Sequence, residues 1–156
     1  MYKLYQVNRL MLSKKAKYGL TALIHLAKKQ NDGPVLISYL AKKGRIPQKF
    51  LELILLELKN EGILQSKKGR GGGYFLARPA ELIRIGQVIR IIDGPLAPIA
   101  CVSETAYEKC AECTDEKNCA IRNVMKKVRD SIAQILDSTT LYELARSPQI
   151  KKRALM

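Results

Sequence analysis

One stretch of five residues constrains this chain more than any other: Gly69-Arg70-Gly71-Gly72-Gly73. Four glycines around one arginine cannot continue a helix, because each costs about 1 kcal/mol in a helix interior. On one side stands Ile63-Leu64-Gln65-Ser66-Lys67-Lys68, and on the other Tyr74-Phe75-Leu76-Ala77. Two short strand-like runs about a glycine turn predict a β-hairpin, its slender tip carrying Lys67, Lys68 and Arg70. A phosphate-cradling nucleotide loop would need four residues between its first glycine and Gly-Lys-Ser/Thr, with a helix following. Neither is present.

Apolar periodicity orders what surrounds the hairpin. Ala16, Leu20, Leu23, Ile24 and Ala27 predict a first helix over 14–30 with Ser13 as N-cap, stopped by Asn31-Asp32-Gly33-Pro34. Ser38 reads as the N-cap of a second helix over 39–43, with Gly44 as its C-cap glycine. A third helix begins near Pro47 and runs to Asn60, with Leu51, Ile54, Leu55 and Leu58 inward and Gly62 closing it. The tight turn Gly44-Arg45-Ile46 gives helices two and three the helix-turn-helix layout. A hairpin after that unit is a wing. The outward face of helix three would show Gln48, Lys49 and Glu52, with Lys59 near its edge, side chains suited to base edges and phosphates.

Ile85, Val88, Ile89 and Ile92 mark a fourth helix ended by Asp93-Gly94-Pro95. A longer amphipathic helix is expected over 120–136, with Ile121, Val124, Val128, Ile132 and Ile135 on one stripe. It is longer than a winged domain needs for its own core, and two-fold self-association is its natural use. Ser138-Thr139-Thr140 would cap a last short helix carrying Leu141, Leu144 and Ala145. The expected fold is mainly α with a small β-hairpin: an extension at 1–10, a winged helix-turn-helix domain at 11–97, a cysteine-containing loop at 98–119, and a dimerisation helix with a C-terminal tail at 120–156.

Charge sharpens this division. Of the 156 residues, 28 are Lys or Arg and 14 Asp or Glu, a formal net charge of +14. Residues 1–100 hold 18 basic and 6 acidic side chains, a net +12, and 101–156 hold 10 and 8, a net +2. Such a charge draws a polyanion to the first two-thirds of the chain. No apolar run reaches the ~18 residues of a membrane span, and the N-terminus lacks the pattern of a secretory signal. The expectation is a cytoplasmic protein with no membrane partner. The one histidine, His25, falls on the first helix without a nucleophile or metal-hydrolase motif around it, so catalysis is discounted.

All four cysteines fall in one window, Cys101-x8-Cys110-x2-Cys113-x5-Cys119. In a reducing compartment such a cluster points to a metal or redox site before structural disulfides. Four thiolates suit an iron–sulfur cluster, [2Fe–2S] or [4Fe–4S], or tetrahedral zinc. Metal-free thiols that oxidise are the third reading, opposed by the acidic side chains of 104–116.

The stretches 12–20, Ile46-Pro47-Gln48-Lys49-Phe50-Leu51-Glu52, and Gly69-Arg70-Gly71-Gly72-Gly73-Tyr74 with Leu76-Ala77-Arg78-Pro79 together resemble the Rrf-type (IscR/NsrR/CymR) family of bacterial transcription regulators. The resemblance covers about residues 11 to 145, in order. It implies a homodimer placing two winged helix-turn-helix domains on a palindromic double-stranded DNA operator. It implies DNA contacts from Gln48, Lys49 and Glu52 and from the wing residues Lys67, Lys68, Arg70, Gly71 and Gly72, with Arg70 near the minor groove. It further implies an iron–sulfur cluster on three cysteines of this region, of which Cys113 and Cys119 fit the last two and Cys101 or Cys110 the first, with all four as the ligand set where no other residue supplies the fourth. Two positions depart from cluster-binding members: Arg122 stands where one type has a histidine ligand, and Lys17 where another has an aspartate. Some members without a cluster answer to a regulatory partner protein instead.

Overall fold

The computed structural model describes residues 12–147, so the expected extension at 1–10 and the tail at 151–156 lie outside the described residues. Ser13 begins the first helix, α1 (Lys14–Lys28): its hydroxyl accepts from the Ala16 N–H at 3.0 Å, and its own N–H donates to Asp93 at 2.8 Å. Ala16, Gly19, Leu20, Ala22, Leu23 and Leu26 are all buried, more than one stripe can hold. This helix is the axis of the core, packed against every other helix but one and against the hairpin.

Helix α2 spans Ile37–Gly44, and both of its expected boundaries are corrected. The N-cap is Leu36, with Ser38 inside the first turn. Val35 sets that start, because its N–H donates to the Tyr74 carbonyl at 2.8 Å and its carbonyl accepts from the Tyr74 N–H at 2.9 Å. Held extended by these bonds, the chain enters the helix two residues later. At the other end the left-handed residue is Arg45, at φ 53°, and the Ile46 N–H returns to the Ala41 carbonyl at 2.9 Å. Gly44 stays helical, where a Cβ would stand 2.7 Å from the Ile46 side chain. Its small size lets the turn fold back, and the positive φ passes to its neighbour.

Helix α3 spans Gln48–Asn60, with Pro47 as N-cap just outside the helix. Leu51, Ile54, Leu55 and Leu58 are fully buried, as the periodicity predicts. Strands β1 (Leu64–Lys67) and β2 (Gly73–Leu76) form the antiparallel wing, paired Leu64 to Leu76, Gln65 to Phe75, Ser66 to Tyr74 and Lys67 to Gly73. Leu64 and Leu76 are buried together at its base, which roots the hairpin in the core.

A 3-10 turn leads into α4 (Ile85–Asp93), whose Ile85, Val88, Ile89 and Ile92 are buried. The chain then leaves the core. No member of the main buried cluster comes from residues 93–140, and the cluster resumes with Leu141. Within that excursion lie a second 3-10 turn, Ala100–Val102, and the long helix α5 (Ala120–Ser138). The last helix, α6 (Leu141–Arg146), begins at a capping box of Thr140 and Glu143 and returns to α1, with Leu141 and Ala145 buried. The final segment therefore divides: α6 completes the core, and α5 contributes no buried member to it, packing along α4 and touching the core through half-buried Leu136. The result is a mainly helical winged helix-turn-helix with one two-stranded sheet.

Candidate nucleic-acid interface and cysteine segment

The face of α3 turned from the core carries the expected side chains and two that were not expected. Gln48, Lys49 and Glu52 are exposed, and the Gln48 amide donates to the Glu52 carboxylate at 3.4 Å. Leu53 and Leu56 are also exposed, at 63% and 50%. Apolar periodicity assigns leucines inward, so nothing in the pattern marked these two. Lys59 is engaged: its ammonium donates to the Ser66 hydroxyl at 2.7 Å, tying α3 to β1. Glu57 pairs with Lys15 at 2.6 Å, and the rings of Phe50 and Tyr18 meet edge to face at 5.9 Å, so α1 braces the opposite flank.

At the wing tip Lys67, Lys68, Arg70 and Gly71 are exposed. Gly72 is buried, and a Cβ on it would overlap the Lys67 carbonyl; the structure places it as the residue that shapes the turn, inside the tip. Gly73, at φ 146°, lies against the Val35 backbone, where a Cβ would stand 2.5 Å from Val35 C and 2.9 Å from Val35 N. The wing is thus fastened beside its turn by a contact only glycine permits. Among the described residues, Lys49, Lys67, Lys68 and Arg70 take part in no ion pair. Unpaired cations on a fixed hairpin beside an exposed helix form an electrostatic footprint for phosphate.

The cysteines are distributed unevenly. Cys101 is buried in the Ala100–Val102 turn. Two arginines of α5 hold that turn: Arg122 Nε donates to the Cys101 carbonyl at 3.2 Å, and Arg129 Nη1 to the Val102 carbonyl at 2.7 Å. Cys110 is exposed, and its thiol donates to the Glu112 carboxylate at 3.2 Å, which pushes the thiol pKa up. Cys113 is half-buried, and Cys119 caps α5 by accepting from the Arg122 N–H at 3.5 Å. Among the described residues, no group of three or more Cys, His, Asp or Glu gathers closely enough to hold a metal. The four thiols, as folded here, do not form a ligand set.

Helix α5 has no buried residue along its 19 positions. Ile121, Val124, Val128 and Ile135 lie exposed along one stripe, the outermost at 70% and 64%. Asp137 near its end forms a two-pronged ion pair with Arg90 of α4, at 2.6 and 2.9 Å. That bond holds the Asp137 carboxyl below its usual range and raises the Arg90 guanidinium. No helix of the described residues is long and apolar enough to cross a membrane.

A family model, Rrf2, described as iron-dependent transcriptional regulator, matches residues 12–147. A putative HTH-type transcriptional regulator of Rhodobacter capsulatus, rrf2-like, is 40% identical over 137 residues, covering 86% of this chain and 91% of its own. Among solved structures, CymR of B. subtilis, described as the global cysteine regulator, superposes with a TM-score of 0.74 at 34% identity, over 88% of this chain and 97% of that one. IscR of T. potens gives 0.70 at 28% identity, over 90% and 89%.

Proposed function

The chain belongs to the Rrf2 family of transcriptional regulators, and on that premise we propose that it works as a homodimer reading a palindromic operator. It is a regulator and not an enzyme, as its relatives are named. In this reading α3 enters the major groove with Gln48, Lys49 and Glu52 toward base edges, and the wing lays Lys67, Lys68 and Arg70 on adjacent phosphates and the minor groove. The observation that carries it is the set of unpaired cations on a wing locked in place beside the exposed face of α3. The occupant of the α5 stripe is the same stripe of a second copy. Reading two half-sites one helical turn apart requires that this pairing hold the two α3 helices about 34 Å apart.

For the signal we assign the cysteine segment. Its turn is bonded to α5 through Arg122 and Arg129, so chemistry at the cysteines bears on the helix that spaces the two reading heads. A four-thiolate cluster does not fit the cysteines as they stand, with Cys101 buried in its turn and Cys110 out in solvent. Thiol chemistry at Cys113 and Cys119 fits better, because both are partly exposed, while the Glu112 carboxylate works against the thiolate of exposed Cys110.

Two experiments test this. A salt titration of the intact protein on a selected palindromic duplex and on random DNA should show tighter binding to the former at every salt concentration, with both falling as salt rises. Equal affinity throughout would sink sequence-specific regulation. Anaerobic purification with iron, sulfide and zinc measured on one sample, before and after thiol oxidation, tests the signal. An operator affinity indifferent to oxidation and to metal content would turn the question toward a regulatory partner protein.

A further inference from the structure

Leu53 and Leu56 have no role in the core and none in the reading above. They lie three residues apart, and Leu53 follows Lys49 by four, so Lys49, Leu53 and Leu56 share the outer side of α3 opposite Leu51, Leu55 and Leu58. A single exposed leucine on a surface is ordinary. Two on the exposed face of α3, beside Lys49 and Glu52 and next to a wing whose tip carries unpaired cations, are a recognition feature. The bond from Lys59 to Ser66 brings the wing strand beside the end of α3 that carries Leu56.

We propose that Leu53 and Leu56 are specificity residues that read the 5-methyl groups of thymines in the major groove. The inference rests on the DNA-binding reading given above. The charge around the stripe selects its occupant: an apolar protein surface would have to desolvate Lys49 and the wing cations without pairing them, whereas a duplex offers phosphates to those cations. Within the major groove the thymine methyl is the apolar group on offer. Leucine has no donor or acceptor, so a guanine or cytosine edge against it is left with unpaired polar atoms. The two leucines therefore favour thymine at the bases they cover and reject G·C pairs there.

The test begins with a pool of random DNA duplexes selected on the full chain. In the recovered sequence each thymine is then replaced by uracil, which removes the methyl and leaves the hydrogen-bonding edge intact. Removing one read methyl should weaken binding about fourfold, the equivalent of ~0.8 kcal/mol for one buried carbon. Leu53→Gln and Leu56→Gln, exposed and helix-compatible, should each lose the response to uracil at their own position while keeping the fold and the salt dependence. A recovered sequence that binds equally with thymine or uracil overturns this inference alone. So does one without thymine in its half-sites. A changed oligomeric mass in the leucine variants with the uracil response intact overturns it in favour of a protein contact. A pool that yields no preferred sequence overturns the sequence-specific reading itself.

Discussion

Gly73→Ala is the substitution for which the structure gives the most definite magnitude. The residue sits at φ 146°, and a Cβ would stand 2.5 Å from Val35 C and 2.9 Å from Val35 N. Both obstacles are backbone, so no side chain can swing aside. Forcing an L-residue into that region costs about 1–3 kcal/mol. Moving Val35 away breaks two backbone bonds, Val35 N–H to Tyr74 O at 2.8 Å and Tyr74 N–H to Val35 O at 2.9 Å, each worth about 1 kcal/mol net. The total is roughly 3–5 kcal/mol. Gly33→Ala is the internal control, because Gly33 also has a positive φ, 87°, but nothing lies within 4 Å of its would-be Cβ. It should cost only the local strain, about 1–2 kcal/mol. Urea unfolding of the three proteins at one concentration gives the comparison, provided m is unchanged. In a melt, Gly73→Ala should lower Tm by about 6–20 °C, given 2–4 °C per kcal/mol for a chain of this length. Equal midpoints for the two variants would refute the argument that the wing depends on the Val35 contact.

Three further outcomes are expected. Val124→Glu with Val128→Glu should leave the monomer folded, since neither residue is buried, and should halve the mass seen by sedimentation; an unchanged mass would remove α5 from the interface. Burial, then Lys28 and Lys43, lowers the His25 pKa below its ordinary 6.5, so the folded chain binds that proton less tightly than the unfolded one. Stability should therefore fall as pH drops below 6.5 and level off once the folded imidazole also protonates, and in His25→Gln the decline below pH 6.5 should shrink; identical pH profiles would contradict this. Arg129→Ala frees the Val102 carbonyl that its guanidinium binds at 2.7 Å, and the loosened turn should let an alkylating reagent reach Cys101 about tenfold faster, as loss of a charged hydrogen bond implies; an unaltered rate would show that the turn holds without α5.

The elements legible beforehand were those whose burial follows one period. Leu51, Ile54, Leu55 and Leu58 named the inner face of α3, and Ile85, Val88, Ile89 and Ile92 that of α4, because a 3.6-residue repeat leaves one consistent stripe. Boundaries set from far along the chain were not legible. Ser38 has the chemistry of an N-cap, yet α2 starts earlier because Tyr74 fixes Val35, and no local signal announces a partner that distant. Glycine is the usual left-handed terminator, yet Gly44 was needed for its size and Arg45 took the positive φ. The candidate site shows the same split. Exposed Lys49, Lys67, Lys68 and Arg70 followed from charge and turn chemistry, whereas Leu53 and Leu56 escaped because pattern reading sends leucines inward. Clustered spacing of the cysteines suggested one ligand set; the fold buries Cys101 under two arginine bonds and leaves Cys110 in solvent.

The span that holds α4, the cysteine segment and α5 is closed at its neck. The Ile85 N–H donates to the Thr139 carbonyl at 3.0 Å and the Leu141 N–H to the Ile83 carbonyl at 2.8 Å, so the chain departs and returns across one short bridge. The entropy of closing such a span grows only with the logarithm of its length. Within that span α4 belongs to the core, but residues 94–119 add no member to the main buried cluster, so this stretch can be shortened, extended or rewritten at little expense to the domain beneath. A lineage built on this plan can exchange the cue it answers to as a cassette, while its way of folding and of holding DNA stays inherited.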